Sequence, residues 1–361
     1  MKQTMLLKLV PTPDQHAALL ETLHAFNAAC TYAAEMAFAA RTANKFELQK
    51  MVYGALRATY HLPAQLAIRA ISKTVEAYKR DKDTQPHFRP EGAIVYDPRV
   101  MSFKGPNTVS LLTLSGRVLV PFWVREYQAP RMEAIQGQAD LLYRHGTFFL
   151  AVTLEMPEPK LDTPDGGTLG VDLGIVNLAT DSDGDHFSGQ AVERTRVRMN
   201  TLRAALQSKG TRSAKRHLRR LRRSERRFHR DTNHVISKRL VAKGKASQRG
   251  IALEDLRHIR SRTESTVKKS QRQRHASWSF AQLRAFLAYK AALAGVCLHL
   301  VDPRNTSRTC SVCGHCEPAN RKSQAEFVCQ SCGYAAPADW NAAVNISRAT
   351  VKTPIVAALA G

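Results

Sequence analysis

Four cysteines near the end of the sequence constrain the fold most, because they are spaced as two metal-binding pairs. Their order is Cys310-x2-Cys313-x15-Cys329-x2-Cys332. Two such pairs let four thiolates close a tetrahedron around zinc, and they leave no coordination position open for a reactant. The spacing therefore predicts one structural Zn2+ ion in a zinc ribbon. Cys316 leaves an alternative ligand open, since Cys313 and Cys316 also form a Cys-x2-Cys pair.

Three acidic residues from distant segments form the candidate catalytic site. Asp339 begins the motif DWNAA a few residues after the last cysteine, whereas Asp172 and Glu254 lie in the apolar, strand-like segments GVDLGIVNLAT and IALEDL. A carboxylate in such surroundings is costly without a cation, so the three are expected to converge on divalent metal. Two Mg2+ ions held there would support phosphodiester hydrolysis by in-line displacement. Asp172, Glu254 and Asp339 are thus predicted to be both catalytic and magnesium-binding.

Each acid also has a simpler interpretation. An acid in a strand can be a solvated edge residue, and Asp339 could cap a helix that opens at Trp340. Asp255, which follows Glu254 directly, is the alternative to Glu254 as the metal-binding acid of this segment. Three further acids are assigned to a turn: Asp181, Asp183 and Asp185.

The charge of the chain predicts a polyanionic partner. Lys and Arg number 54 against 30 Asp and Glu, a net charge of +24. Residues 1–167 hold 19 basic and 16 acidic side chains, a net charge of +3. Residues 168–361 hold the other 35 basic and 14 acidic side chains, a net charge of +21. Nucleic-acid contact is therefore expected in the second half of the chain.

The most basic segment, residues 194–230, holds 15 Lys and Arg and a single acid, Glu225. Its thin apolar stripe predicts a pair of helices with an open basic face. That face could simply be solvated, but so many like charges repel unless a polyanion neutralises them. Nine side chains are predicted to contact the nucleic-acid backbone: Arg212, Lys215, Arg216, Arg219, Arg220, Arg222, Arg223, Arg226 and Arg227.

The remaining patterns predict at least two domains. A strand over residues 4–10 is followed by helical sequence from 15 to 80, which is broken at 61–63. Short alternating runs up to residue 156 indicate hairpins of a small barrel or curled sheet. A Pro- and Gly-rich stretch at 156–167 is typical of a linker, and a mixed sheet with helices follows it.

No feature of the sequence predicts export or membrane insertion. The first residues lack the apolar core and cleavage site of a signal peptide. The most apolar stretch, Phe280–Val301, is interrupted by charged residues and predicts an amphipathic core helix that leads into a strand at 296–301. Four of the seven cysteines have metal-ligand spacing, which fits a reducing compartment. We expect a cytoplasmic protein without a membrane partner.

Taken in order, these segments resemble TnpB, the transposon-encoded family of RNA-guided nucleases related to miniature type V CRISPR effectors. The likeness rests on LKLVPTPDQ, LPAQLAIRAISKTVEAYKR, PHFRPEG, GVDLGIVNLAT, IALEDL, NTSRTCSVCGH, FVCQSCGY and DWNAAVNI. It implies a RuvC-like nuclease, with the catalytic roles on Asp172, Glu254 and Asp339 and zinc on the four ribbon cysteines. It also implies a guide RNA, double-stranded target DNA and the prokaryotic cytoplasm or nucleoid. Pro337 departs from the family, which often has an acid at that position. We favour a monomer.

The resemblance also implies a mixed α/β, multidomain architecture. An N-terminal β-barrel of the oligonucleotide-binding type (1–13 and 82–157) would carry a helical recognition lobe (14–81). A linker (158–167) would lead to an RNase H-like nuclease domain (168–303 and 336–350) with a basic helical insertion (194–249), a zinc ribbon (304–335) and a tail (351–361).

Three other functions compete with a guided DNA endonuclease. A guided repressor or targeting factor without cleavage would be expected to have lost at least one of the acids. A junction resolvase or DDE-type transposase shares the acidic fold, although the predicted barrel-plus-helices lobe argues against it. A zinc-ribbon RNA-binding protein without catalysis would not need the dispersed acids.

Overall fold

The computed structural model describes residues 1–157, 161, 166–255, 280–349 and 353–354. The chain divides into two compact units, Met1–Pro157 and Glu158–Gly361. Each unit has its own sheet and its own hydrophobic core, which makes the architecture mixed α/β and multidomain. Most of the predicted linker, most of the predicted tail and the basic stretch after Asp255 lie outside the described residues.

The first unit is built on a seven-stranded antiparallel sheet. Its strands are β1 (Lys2–Leu9), β2 (Ile94–Tyr96), β3 (Met101–Phe103), β4 (Thr108–Thr113), β5 (Gly116–Trp123), β6 (Ile135–Arg144) and β7 (Thr147–Glu155). Their order is β2-β6-β7-β1-β5-β4-β3. Alternate residues of β1 are buried, namely Met5, Leu7 and Leu9, as expected for a strand with one face on a core.

Three helices pack with this sheet: α1 (Pro13–Ala39), α2 (Lys45–Ala58) and α3 (Ala64–Arg80). Thr12 caps α1 through a capping box with Gln15, which satisfies amide groups that the first turn leaves without partners. The predicted break at 61–63 is confirmed, because Pro63 immediately precedes α3. The structure adds a second break after residue 39, so the helical region contains three helices.

The second unit contains a six-stranded mixed sheet and a separate two-stranded one. The strands are β8 (Thr168–Asp172), β9 (Asn177–Asp181), β10 (His186–Ser188), β11 (Gly250–Glu254), β12 (Leu298–Val301), β13 (Glu326–Val328), β14 (Ala335–Pro337) and β15 (Thr353–Pro354). The larger sheet has the order β10-β9-β8-β11-β12-β15, and β13 pairs with β14. Strands β8, β11 and β12 are parallel, and the other pairs are antiparallel. The prediction of a mixed sheet is confirmed.

Helices cover both faces of the larger sheet. They are α4 (Gln190–Lys209), α5 (Arg212–Ala246), α6 (Phe280–Ala294) and α7 (Ala338–Arg348). Val171 and Leu253 belong to the core that includes residues of α5 and α6. On the opposite face, Ala252 packs with Ile346 of α7. Among the described helices, none is both long and apolar enough to cross a bilayer.

Candidate active site and metal centre

Two of the predicted catalytic acids end neighbouring parallel strands. Asp172 is the last residue of β8, and Glu254 is the last residue of β11. Leu253 lies opposite Val171 in the parallel register, so Glu254 and Asp172 follow at the same level. Because side chains alternate between faces along a strand, both acids lie on the face away from Val171 and Leu253. The carboxyl ends of parallel strands are where α/β sheets usually bind ligands.

The third acid comes from α7, which lies directly on this face. A Cβ atom on Gly170 would overlap the backbone of Ala343 and Ser347, so only glycine allows α7 to approach β8 so closely. Asp339 stands in the first turn of α7. The alternative that Asp339 caps a helix opening at Trp340 is wrong, because the helix begins one residue before Asp339, with Pro337 at the N-cap position.

The three carboxylates interact electrostatically. Burial, then the negative charges of Glu254 and Asp339, raise the pKa of Asp172 well above its usual value, against the opposing charge of Arg321. Burial also raises the pKa of Glu254, against a hydrogen bond from Thr306 and the charge of Arg321. Like charges held together in a poorly solvated place favour protonation unless a cation neutralises them.

Three further side chains hold these carboxylates, and sequence reasoning missed all of them. The Asn177 Nδ2 donates to Asp339 Oδ2 at 3.0 Å, and the Thr306 hydroxyl donates to Glu254 Oε1. The Arg321 guanidinium lies 3.7 Å from Asp339 Oδ1. Asn177 is five residues after Asp172, and Arg321 lies within the cysteine spacer. Only the likeness of the surrounding segments to a known family could have drawn attention to them.

The donor set fits magnesium. Three carboxylates are hard oxygen ligands, which Mg2+ prefers, and the raised pKa values of Asp172 and Glu254 indicate that a cation is needed to ionise those two together. Asp255 points to a different partner, since its Oδ1 lies 3.3 Å from the Arg284 guanidinium. Glu254 therefore remains a better candidate than Asp255 for a metal ligand.

The acids of the neighbouring loop, residues 181–185, form ion pairs with basic side chains of the protein itself. The Lys243 ammonium of α5 lies 2.6 Å from Asp181, 3.1 Å from Asp183 and 2.7 Å from Asp185. The Asp181 side chain is only 1% exposed, so this ion pair compensates a buried charge. The turn predicted at Asp183–Gly184 is confirmed.

This acidic loop is also bonded to α7, the helix that carries Asp339. The indole Nε1 of Trp340 donates to the carbonyl oxygen of Ser182 at 3.0 Å. The Ser182 hydroxyl in turn accepts from the backbone N–H of Gly170 at 3.2 Å. Trp340 follows Asp339, and Gly170 precedes Asp172 by two residues, so the loop contacts the chain beside two of the three acids.

The four ribbon cysteines form a compact cluster. Their Sγ atoms all lie within 4.8 Å of one another, with Cys310 3.7 Å from Cys332 and Cys313 3.5 Å from Cys329. A tetrahedral zinc with Zn–S bonds of about 2.3 Å needs sulfur atoms about 3.8 Å apart. The arrangement therefore fits Zn2+ before any ion is added. Cys316 lies outside this cluster.

The thiols cannot all ionise by themselves. The backbone N–H of Cys332 lowers the pKa of the Cys329 thiol to about 6, which favours the thiolate that binds zinc. Although the backbone N–H of His315 acts in the opposite direction, contacts with the other three sulfurs raise the pKa of Cys313 to about 12. A bound metal would remove this conflict.

The asparagines of α7 attach the cysteine ribbon to this helix. The buried Asn341 accepts from the backbone N–H of Ser311 at 3.0 Å and donates to the Thr309 carbonyl at 2.8 Å. Asn345 donates to the same carbonyl at 2.7 Å and to the Thr306 carbonyl at 2.8 Å. The motif DWNAA thus joins the active site, the acidic loop and the ribbon.

The basic segment forms the helical pair α4 and α5, as predicted. The Arg203 guanidinium of α4 lies 2.7 Å from Glu225 of α5, so the one acid of the segment is used between the helices. A cleft of about 770 Å3 lies between the two helices, with Arg216, Arg220 and Arg227 among its lining. All nine predicted backbone contacts are exposed, and they stay a prediction.

Comparison with known proteins finds family models and relatives that are similar to parts of this chain. A family model described as "Probable transposase" matches residues 151–258, and one described as "Cas12f1-like, TNB domain" matches residues 280–346. InsQ of Escherichia coli K12, named as a candidate RNA-guided DNA endonuclease, is 26% identical over 303 residues, which cover 79% of this chain and 73% of InsQ. The TnpB-like protein MJ0751 of Methanocaldococcus jannaschii is 34% identical over 118 residues, 32% of this chain and 41% of that protein.

The chain is similar to TnpB-like proteins and their relatives over most of its length. The resemblance found in the sequence motifs is therefore confirmed. The fold of this chain is similar to that of CasPhi-2 (Cas12j), solved bound to crRNA, with a TM-score of 0.62 and 11% identity over 96% of this chain and 98% of the other. At that identity the likeness establishes a shared mixed α/β fold.

Proposed function

We propose that this chain is an RNA-guided endonuclease of the TnpB type that hydrolyses phosphodiester bonds of double-stranded DNA with magnesium. The observation that carries the proposal is the meeting of Asp172, Glu254 and Asp339, with raised pKa values at the first two. The relationship to InsQ over most of the chain supports the guide RNA and the DNA target.

The domain roles follow the family pattern. Residues 168–303 and 336–350 form the RNase H-like, RuvC-type nuclease domain, since parallel strands with helices on both faces carry the acids at their carboxyl ends. Residues 304–335 form the zinc ribbon. The sheet of the first unit forms the oligonucleotide-binding barrel (1–13 and 82–157), and its helices form the recognition lobe (14–81). The insertion at 194–249 holds the nucleic-acid backbone through its exposed Arg and Lys side chains.

The residues of the site have different roles. Two Mg2+ ions bound to the three carboxylates would activate water and stabilise charge on the reacting oxygens. Asn177 and Thr306 hold the Asp339 and Glu254 carboxylates in one orientation. Arg321 presents a planar set of N–H donors beside the acids, which suits a phosphate of the bound strand.

Single alanine substitutions at Asp172, Glu254 or Asp339 should each abolish magnesium-dependent cleavage and leave nucleic-acid binding largely intact. When catalytic residues act as a unit, removing one of them costs nearly as much rate as removing all of them. We therefore expect each substitution to lower the cleavage rate on the order of 10³-fold or more. Guided cleavage of a matched duplex and a parallel binding titration measure the two properties.

Asp255→Ala is the matched control, because this acid neighbours Glu254 but pairs with Arg284, and it should cut like the wild type. Efficient cutting by a triad variant would remove that residue from the site. Guided binding by the wild type without any cutting would instead identify a guided DNA-binding protein.

A further inference from the structure

A cleft in the first unit lies outside all the residues discussed so far. Its volume is about 490 Å3, within the range typical of small-ligand sites. Aromatic rings, one carboxylate and two imidazoles line it: His24, Tyr32, Glu35, Tyr60, His87 and Phe88. Helix α1 supplies the first three, at a spacing that places them along one side of the helix.

The aromatic wall is held in place before any ligand binds. The Thr31 hydroxyl bonds both the backbone N–H and the carbonyl of Phe88, at 3.4 and 3.5 Å. The Lys73 ammonium lies 5.1 Å from the centre of the Phe88 ring and donates to the Ala93 carbonyl at 2.6 Å. The rings of Tyr32 and Tyr60 pack 5.9 Å apart. Such preorganisation lowers the entropy lost on binding.

A hydrogen-bond donor and an acceptor line the same cleft. Burial, then the charges of Glu35 and Tyr32, raise the pKa of Tyr60, so its phenol keeps its proton at neutral pH. Glu35 and Tyr60 both line the cleft. The pair can therefore accept one hydrogen bond and donate another to the same ligand.

We propose that this cleft binds one unpaired nucleobase that carries an exocyclic amino group. The proposal rests on the proposed function in one respect, namely that the ligand is a nucleic acid. The rings would stack on the base, as aromatic side chains do on unpaired bases. Glu35 accepts from the amino group of cytosine or adenine, and Tyr60 donates to the adjacent ring nitrogen.

The same carboxylate excludes other parts of a nucleic acid. Uracil and thymine present a carbonyl oxygen where cytosine has its amino group, and that oxygen would face Glu35. A phosphate would be repelled as well. The cleft thus distinguishes bases and does not grip the backbone. Aromatic rings and a carboxylate can also bind an alkylammonium group. The Lys73 ammonium already lies near the rings of Phe26 and Phe88, and its charge would repel a second cation there.

The test is binding of short RNA homopolymers of equal length to the full chain, purified free of nucleic acid and without added magnesium. Fluorescence anisotropy at several salt concentrations separates the backbone contribution, which salt weakens, from the base-dependent one. Oligo-C and oligo-A should bind more tightly than oligo-U, and the difference should persist at high salt. Tyr32→Ala should weaken oligo-C binding by roughly 5- to 150-fold, and Tyr32→Phe should preserve it.

Glu35→Gln should narrow the preference for oligo-C over oligo-U, because an amide can also donate to the uracil carbonyl. Glu35 is exposed, so this variant is expected to fold normally. Phe46→Ala is the control, since this ring on α2 is 75% exposed and lies outside the cleft.

Equal affinity of the wild type for the three homopolymers would overturn the proposal, as would full oligo-C affinity in Tyr32→Ala. Competition by tetramethylammonium, without any base preference, would identify a cation site in its place. The assay measures binding and involves no cleavage, so the two proposals can fail separately. A chain that does not cut DNA can still show the base preference, and a chain that cuts DNA can lack it.

Discussion

Arg321 places positive charge next to the three carboxylates from outside the sheet that carries two of them. It lies 3.7 Å from Asp339, and its charge lowers the pKa values of both Asp172 and Glu254. Because Arg321 belongs to the cysteine ribbon, the ribbon contributes directly to the electrostatics of the site. At the residue scale, one side chain of the cysteine spacer thus acts on the carboxylates of the candidate active site.

Replacing Arg321 by methionine should lower the rate of cleavage and change its pH dependence. Loss of one positioned donor at a site of developing charge typically costs on the order of 10²- to 10³-fold. Without the arginine the pKa values of Asp172 and Glu254 rise further. More of each carboxyl is then protonated at a given pH and cannot bind metal, so activity should be lost at a higher pH as the pH falls.

A pH–rate profile for guided cleavage measures this shift. The exposed neighbour Lys322 provides the control, and Lys322→Met should keep the wild-type profile. An unchanged profile in Arg321→Met would show that this guanidinium does not act on the acids.

Helix α7 connects all parts of the candidate site. Its first turn carries Asp339, Trp340 bonds the acidic loop, and Asn341 bonds the ribbon. Its middle lies on Gly170 of β8. At the scale of elements, the position of this one helix decides whether the third carboxylate reaches the other two.

Gly170→Ala should therefore displace α7 and disable cleavage. The added methyl group would overlap backbone atoms of Ala343 and Ser347, which cannot move aside as a flexible side chain can. Overpacking of this kind typically destabilises by about 1–3 kcal/mol. Thermal unfolding and guided cleavage measure the two effects. Gly54→Ala is the control, because nothing lies within 4 Å of the added atom, and wild-type cutting by Gly170→Ala would contradict this account of the packing.

We expect one zinc ion per chain, held by the four clustered cysteines and independent of Cys316. Cys310→Ser should lose the ion and unfold the ribbon, because structural zinc supplies much of the folding free energy of such modules. Cys316→Ser should keep the metal. Metal analysis of the two purified variants decides between them, and loss of zinc only from Cys316→Ser would reverse the ligand assignment.

Positive charge is concentrated in the second half of the chain, and the pair α4 and α5 carries much of it on exposed side chains. The two helices are held together by the Arg203–Glu225 ion pair, with a basic cleft between them. At the scale of the whole molecule, this distribution attracts a polyanion without requiring any particular base sequence.

Alanine at four of these positions, Arg219, Arg220, Arg226 and Arg227, should weaken binding to all sequences alike. Each lost phosphate contact lowers the slope of log K against log salt by roughly 0.7 to 0.9, so four contacts should lower it by about 3. Affinity measured over a range of salt concentrations tests this. The matched variant with four lysines keeps the charge and should keep the slope, whereas an unchanged slope in the alanine variant would make this face a solvated one.

The sequence motifs predicted the metal-binding and catalytic candidates, but not the side chains that contact them. The Cys-x2-Cys pairs and the acids in apolar segments were recognisable because metal ligation and desolvation restrict residue type and position. Asn177, Thr306 and Arg321 were not, since a hydrogen bond to a carboxylate can come from many side chains at many positions. The approach of α7 to Gly170 also depends on tertiary packing, which no local pattern encodes.

The wide separation of the acids along the chain has a consequence for the timing of activity. Positions 172, 254 and 339 are distant in sequence, and the parallel strands β8 and β11 pair only after a long connection has closed. Such non-local contacts form slowly and late in folding. A chain still on the ribosome that lacks Asp339, or one folded only locally, therefore holds an incomplete set of ligands. If these three acids are the catalytic set, the chain can cut DNA only after α7 has docked, so cleavage begins after synthesis of the chain is complete.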